Sequence, residues 1–83
     1  MDDDGITAYM RHVYGGLMQA EAESVPILRR LFFASATRDW AAVPAPVMEQ
    51  AAAAMAATHD ACERGEYAGA LAQLKVWAGL LGL

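Results

Sequence analysis

Arg64-Gly65-Glu66-Tyr67-Ala68-Gly69-Ala70-Leu71 separates two stretches of helical pattern, and its reading decides the fold class. A cation in the last turn of a helix, followed by glycine, is a stop signal, because glycine takes the left-handed backbone that ends a helix without strain. Upstream, Met48, Ala51, Ala52, Met55, His59 and Cys62 fall on one stripe of a helix expected from about Val47 to Arg64. Glu49, Ala53, Ala56, Asp60 and Glu63 lie toward its other side. Downstream, Ala70, Leu71, Leu74, Trp77, Ala78 and Leu81 make a broad apolar face on a helix expected from about Glu66 to Leu81. Val76 and Leu80 fall outside that face, and only Gln73 and Lys75 interrupt the apolar surface of this last helix. A terminal helix of a small domain has few neighbours to cover two faces. Leu74, Val76, Trp77 and Leu80 are therefore candidates for contact with another chain.

Working back toward the start, Asp39 to Pro46 reads as a connection, since residues before Pro44 and Pro46 avoid the α region. Trp40 at its start is placed to lie across a helix pair as a lid on the core. A second helix begins near Ser24-Val25-Pro26, where serine suits the N-cap and proline the first turn. Ile27, Leu28, Leu31, Phe32 and Phe33 make it the most apolar stretch before it fades through Arg38. The first helix is expected from about Gly5 to Ala22, with Ile6, Met10, Val13, Leu17 and Ala20 as its seam and Asp2, Asp3 and Asp4 complementing the dipole at its start. Gly15 and Gly16 interrupt it, at about 1 kcal/mol each relative to alanine. They fit a kink, a close backbone crossing, or a weak spot that packing overrides. No alternation, Asn-Gly turn or β-branched run signals a strand. The fold expected is all-α, a small bundle of about four helices forming a single domain over residues 1–83.

The chain has 83 residues, and a domain of this size buries only about 60% of the surface its unfolded chain exposes. One cysteine, Cys62, excludes an internal disulfide, and the four spaced ligands of a structural zinc site are missing. Association with another chain remains as a source of extra stability. Composition agrees: 57% of residues are hydrophobic and 19% charged, against about 45–50% and about 25% in typical domains. Much of the excess is alanine, which needs little burial and favours helix. A formal charge of -4 argues against nucleic acid and anionic membranes and favours a basic protein partner. The start lacks a basic leader, and no apolar run reaches the roughly 20 residues of a spanning helix. A cytoplasmic location is expected, with no cofactor.

The last third of the chain resembles a tetratricopeptide-like helix-turn-helix unit. Tyr67 after the turn, Ala70 three later and Leu74 four beyond occupy that family's aromatic, small and apolar places. Ala54, Ala57 and Ala61 stand where its first helix offers larger residues, Thr58 where it has glycine, Trp77 where it has a small residue, and Gly82 where it has proline. The resemblance covers one repeat, while solenoids need about three. It implies an adaptor or chaperone that shields a partner's helix.

Three clusters have chemistry to offer. His59, Cys62 and Glu63 lie within one helical turn, where an imidazolium would favour the thiolate; equally, Cys62 is a small core residue and His59 a boundary one. Arg29 and Arg30 suit a clamp for a carboxylate or phosphate, or a solvated edge of the second helix. Tyr9, Tyr14 and Met18, with Met10, flank the first seam as an adaptable binding surface or as core. No phosphate loop, nucleophile elbow or metal-ligand set is present. The expected function is a small protein-binding module (a helical adaptor, chaperone or regulator) that buries an apolar helix face against a partner chain or itself. The alternative is a small all-helical enzyme with an arginine-lined site at a dimer interface. A helix-turn-helix DNA binder is opposed by the acidic balance.

Overall fold

Four α-helices and one short 3-10 turn follow each other without a strand in the computed structural model, which describes residues 3–83 and the side chains of all of these but 3, 4, 6 and 7. They are α1 (Asp3–Ala20), α2 (Ser24–Thr37), the 3-10 turn (Trp40–Ala42), α3 (Ala45–Glu63) and α4 (Tyr67–Leu80). The all-α expectation holds. The capping role of Asp2, Asp3 and Asp4 and the seam position of Ile6 lie outside the described residues and side chains.

Each boundary has a local cause. α3 starts two residues before the sequence reading placed it, because Pro46 sits in its first turn, where the missing N–H has no helical partner to lose. It ends in a Schellman motif: Gly65 takes φ +72, its N–H reaches Cys62 O, and the N–H of Glu66 reaches Ala61 O at 2.9 Å. α4 ends the same way on Gly82 (φ +73), with the N–H of Leu83 on Ala78 O at 2.8 Å. α1 stops at Ala20 and not at Ala22, and a turn through Glu21–Glu23 leads into α2. Ser24 is not a side-chain cap. Glu23 holds the cap position, and the Ser24 hydroxyl is fully buried with no hydrogen-bond partner among the described residues. Asp39 caps the 3-10 turn by accepting from Ala41 N–H at 3.2 Å.

The α3–α4 hairpin is the closest helix pairing in the molecule. The buried residues of α3 are all small, Ala51, Ala54, Thr58 and Ala61, and those of α4 are Ala70, Leu71, Leu74 and Ala78. Of the stripe formed by Met48, Ala51, Ala52, Met55, His59 and Cys62, only Ala51 is buried. Met48, Met55 and His59 point outward, and the alanine row faces α4. Small side chains let two backbones approach, so the alanines do the packing. Thr58 stays fully buried because its hydroxyl donates to Ala54 O at 2.8 Å.

α1 and α2 cover one side of this hairpin with larger groups: Met10, Tyr14 and Leu17 from α1, Leu28 and Leu31 from α2. The chain kinks at Tyr14 (φ -121, ψ 20), just before Gly15-Gly16. Beyond the kink, Gly16 meets the α4 ring of Tyr67, so closely that an added Cβ would lie 2.8 Å from its Cζ. The kink is thus present at the glycine pair, and the close approach at Gly16 is of a side chain, the Tyr67 phenol, and not of a crossing backbone. The result is a plate of 33 × 31 × 16 Å. A plate so thin leaves much of each helix with neighbours on one side only.

Candidate functional site

The thin dimension decides where binding surface lies. Two cavities flank the junction where the ends of α2 and α4 meet.

The first is an apolar notch between α2, the 3-10 turn, α3 and α4, about 210 Å³ in volume. Trp40 and Trp77 line it with Met48, Met55, Leu31 and Leu81, and with Ala51, Ala52 and Ser35. Met48 and Met55 are each 39% exposed, while both indoles are half-buried. The Trp40 indole donates a long bond from Nε1 to Ser35 O at 3.4 Å, which fixes the ring against the end of α2. Trp40 packs against the core as expected, and its position also makes one wall of the notch.

The second cavity is wider, about 550 Å³, lined by Arg29, Arg30, Phe33, Ala34, Thr37, Arg38 and Leu83. Residues 30, 33, 34, 37 and 38 recur at helical spacing, so one face of α2 carries the site. That spacing was readable in the sequence, and only the first two arginines were picked out from it. Arg38 lines this cavity and contacts Trp40 and Leu81, two residues that line the notch. Its guanidinium stacks over the Trp40 ring, 5.7 Å from the centroid, and donates to Leu81 O. Phe33 is 64% exposed at the rim. Among the described residues, the side chains of the lining offer no carboxylate, imidazole or thiol; the Thr37 hydroxyl donates to Phe33 O at 3.0 Å.

The other sequence candidates separate. Leu74 is corrected from surface to core, being fully buried against the hairpin. Trp77 belongs to the notch, Leu80 is half-buried, and Val76 is 49% exposed. On α1, Tyr14 is corrected from flank to core at 4% exposure, Met18 is half-buried, and Tyr9 is exposed. Tyr9 meets Phe32 edge to face at 5.3 Å, and Tyr14 tilts against Phe32 at 6.1 Å.

His59 hydrogen-bonds Tyr14 and not Cys62, although Tyr14, His59, Cys62 and Glu63 line one shallow pocket with Val13. Tyr14 Oη lies 2.6 Å from His59 Nε2, a bond in which either atom is able to donate, according to the imidazole tautomer. Burial, with the nearby Cys62 and Tyr9, pushes the Tyr14 phenol up to about 12. Burial also pushes the Cys62 thiol up, so it stays protonated and poorly nucleophilic. Among the described residues no cluster of His, Cys, Asp and Glu is arranged to hold a metal ion. No described helix is long and apolar enough to cross a membrane.

No family model, curated protein or solved structure matches this chain.

Proposed function

We propose that this chain is a small protein-binding module, an adaptor, chaperone or regulator, that seats an apolar helix of a partner chain, or of a second copy, in the notch of Trp40, Met48, Met55 and Trp77. The observation that carries the reading is the lining of that notch: every residue but Ser35 is apolar, and two methionines stand partly in solvent. Indoles give large rigid contact area, and methionines repack to fit side chains of different shape. An amphipathic helix laid in such a groove inserts side chains spaced at i, i+3 or i+4 and i+7. Val76 and the half-buried Leu80 extend apolar surface along α4.

A tetratricopeptide-like nature of the α3–α4 pair belongs to this proposal. It is supported by the burial of Ala54, Thr58 and Ala61 in the hairpin and by the packing of Tyr67 across Gly16. A cytoplasmic setting is likewise part of it, supported by one free thiol and no disulfide partner.

The test is a pair of charge insertions. Met48→Asp with Met55→Asp is compared with Val76→Asp with Leu80→Asp, by light scattering over a concentration range and by titration with amphipathic helical peptides. The notch variant is expected to weaken association by at least about tenfold, with helicity unchanged. Unchanged association in the notch variant would reject the notch; loss only in the α4 variant would move the interface to Val76 and Leu80.

A further inference from the structure

We infer that the arginine cavity beside the notch reads the charge of the partner, and that the partner helix carries carboxylates along one border of its apolar face. This rests on the protein-binding reading above and names the chemistry of what binds. The chain as a whole is acidic at -4, which by itself favours a basic partner. Net charge is a sum, whereas a docking helix meets the local field. Three of the six Lys and Arg residues, Arg29, Arg30 and Arg38, line this one cavity. Arg64 and Lys75 sit elsewhere, beside Asp60 and Glu66 and beside Glu23. No Asp or Glu side chain among the described residues lines the arginine cavity; Arg29 has an interaction of its own, so Arg30 and Arg38 carry the inference.

Geometry joins the two cavities into one surface. Arg38 lines the arginine cavity and contacts Trp40 and Leu81, which line the notch. Its contact with Leu81 O uses one guanidinium nitrogen and leaves further donors in the same plane. A helix with apolar side chains in the notch lays its border across Arg38. Carboxylates there meet guanidiniums suited to two-pronged hydrogen bonds, over an apolar patch of Phe33, Ala34 and Leu83. The width of the cavity and the exposure of Phe33 suit the side chains of a macromolecule better than an enclosed small anion.

The experiment uses the whole chain and two helical peptides that share one apolar face, bordered by glutamates in one and lysines in the other. The glutamate peptide is expected to bind about tenfold or more tighter at low salt, with the gap closing as salt rises. Arg30→Glu with Arg38→Glu should reverse the preference, and Met48→Asp with Met55→Asp should weaken both peptides. Arg30→Glu alone, checked by circular dichroism, repeats the test without disturbing the Arg38 contact with Leu81. Equal binding of both peptides, lost in the notch variant, would overturn the charge inference and leave the protein-binding reading standing. Binding of neither, by a chain that also stays monomeric, would overturn both. Self-association dispersed by Arg30→Glu, without glutamate-peptide binding, would give the cavity to a second copy and overturn the inference. So would binding to phosphatidylserine vesicles that is lost in the arginine variants, with no peptide preference.

Discussion

The two halves of this molecule are packed by opposite means. α3 and α4 meet through alanines and come close; α1 and α2 meet the hairpin through methionine, tyrosine and leucine. Small residues contribute little transfer free energy each, at about 25 cal/mol per Å² buried. They allow close backbone approach. Large residues bury more area each and fill the spaces that rigid helices leave. The hairpin thus sets the shape, and the N-terminal pair supplies the burial. A plate 16 Å thick has no second layer to repeat that burial on its other side, which is why indoles and methionines remain partly open at the notch.

The sharpest way to break this comparison is to reverse the size of one residue in each half. Leu28, fully buried on α2, is expected to cost about 2–5 kcal/mol as Leu28→Ala, because a cavity is left where no neighbour collapses. Ala70, fully buried in the hairpin, is expected to cost about 1–3 kcal/mol as Ala70→Leu, by forcing two close helices apart. A domain of this size has roughly 4–12 kcal/mol in all, so the first change brings it near unfolding. Urea titration followed by circular dichroism measures both. A cheap Leu28→Ala would mean that α2 is a loose cover; a cheap Ala70→Leu would mean that the hairpin is not close-packed.

The legibility of each half followed from the same difference. Helix number and the stop at Arg64-Gly65 were readable because they depend on local chemistry, glycine at positive φ and proline in a first turn. The face of α4 was readable because Ala70, Leu71, Leu74 and Ala78, which recur at helical spacing, are its buried residues. On α3 size does not tell burial: Ala51, Ala54 and Ala61 are buried while Met48 and Met55 are 39% exposed, so the stripe of larger residues does not mark the packed face. For Tyr14 the sequence leaves binding surface and core both open, and burial at 4% exposure decides for core. The Tyr14–His59 bond joins residues 45 positions apart, and no local pattern encodes it. Of the binding surface, the α2 face from Arg30 to Arg38 was present as helical spacing, while the notch needs three helices and a turn to exist at all.

Tyr14 gives a second way to probe the contact between the halves, because it ties α1 to α3. Its folded phenol is pushed up to about 12, from 10.0, chiefly by burial. Between those values the folded chain keeps a proton that the unfolded chain releases. The contribution is complete below about pH 10 and falls as pH rises toward about 12, by at most about 1.4 kcal/mol per pH unit. Tyr14→Phe removes this dependence. Near pH 7 it is expected to cost about 0.5–1.5 kcal/mol for the lost bond to His59. That cost should shrink and then reverse in alkali. Urea midpoints of both chains at pH 7, 9, 10 and 11 decide it, and parallel curves would show that the phenol is solvated and the α1–α3 contact open.

The smallest expected effect is also the most local, a difference in sign between neighbouring glycines. An added Cβ at Gly15 meets nothing within 4 Å, whereas at Gly16 it lies 2.8 Å from Cζ and 3.1 Å from Cε1 of Tyr67. Gly15→Ala should therefore stabilise by about 0.5–1 kcal/mol through helix propensity alone. Gly16→Ala gains the same propensity but must displace a half-buried ring, and a net loss of about 1 kcal/mol is expected. Tyr67→Leu shortens the side chain facing that position. In its background Gly16→Ala should recover the gain seen at Gly15, and the double-mutant difference isolates the contact of α1 with the Tyr67 ring. If Gly16→Ala stabilises in the wild-type chain, the ring yields without cost. The N-terminal pair then rests on the hairpin through Met10, Leu17, Leu28 and Leu31, with no fixed point of contact at Gly16.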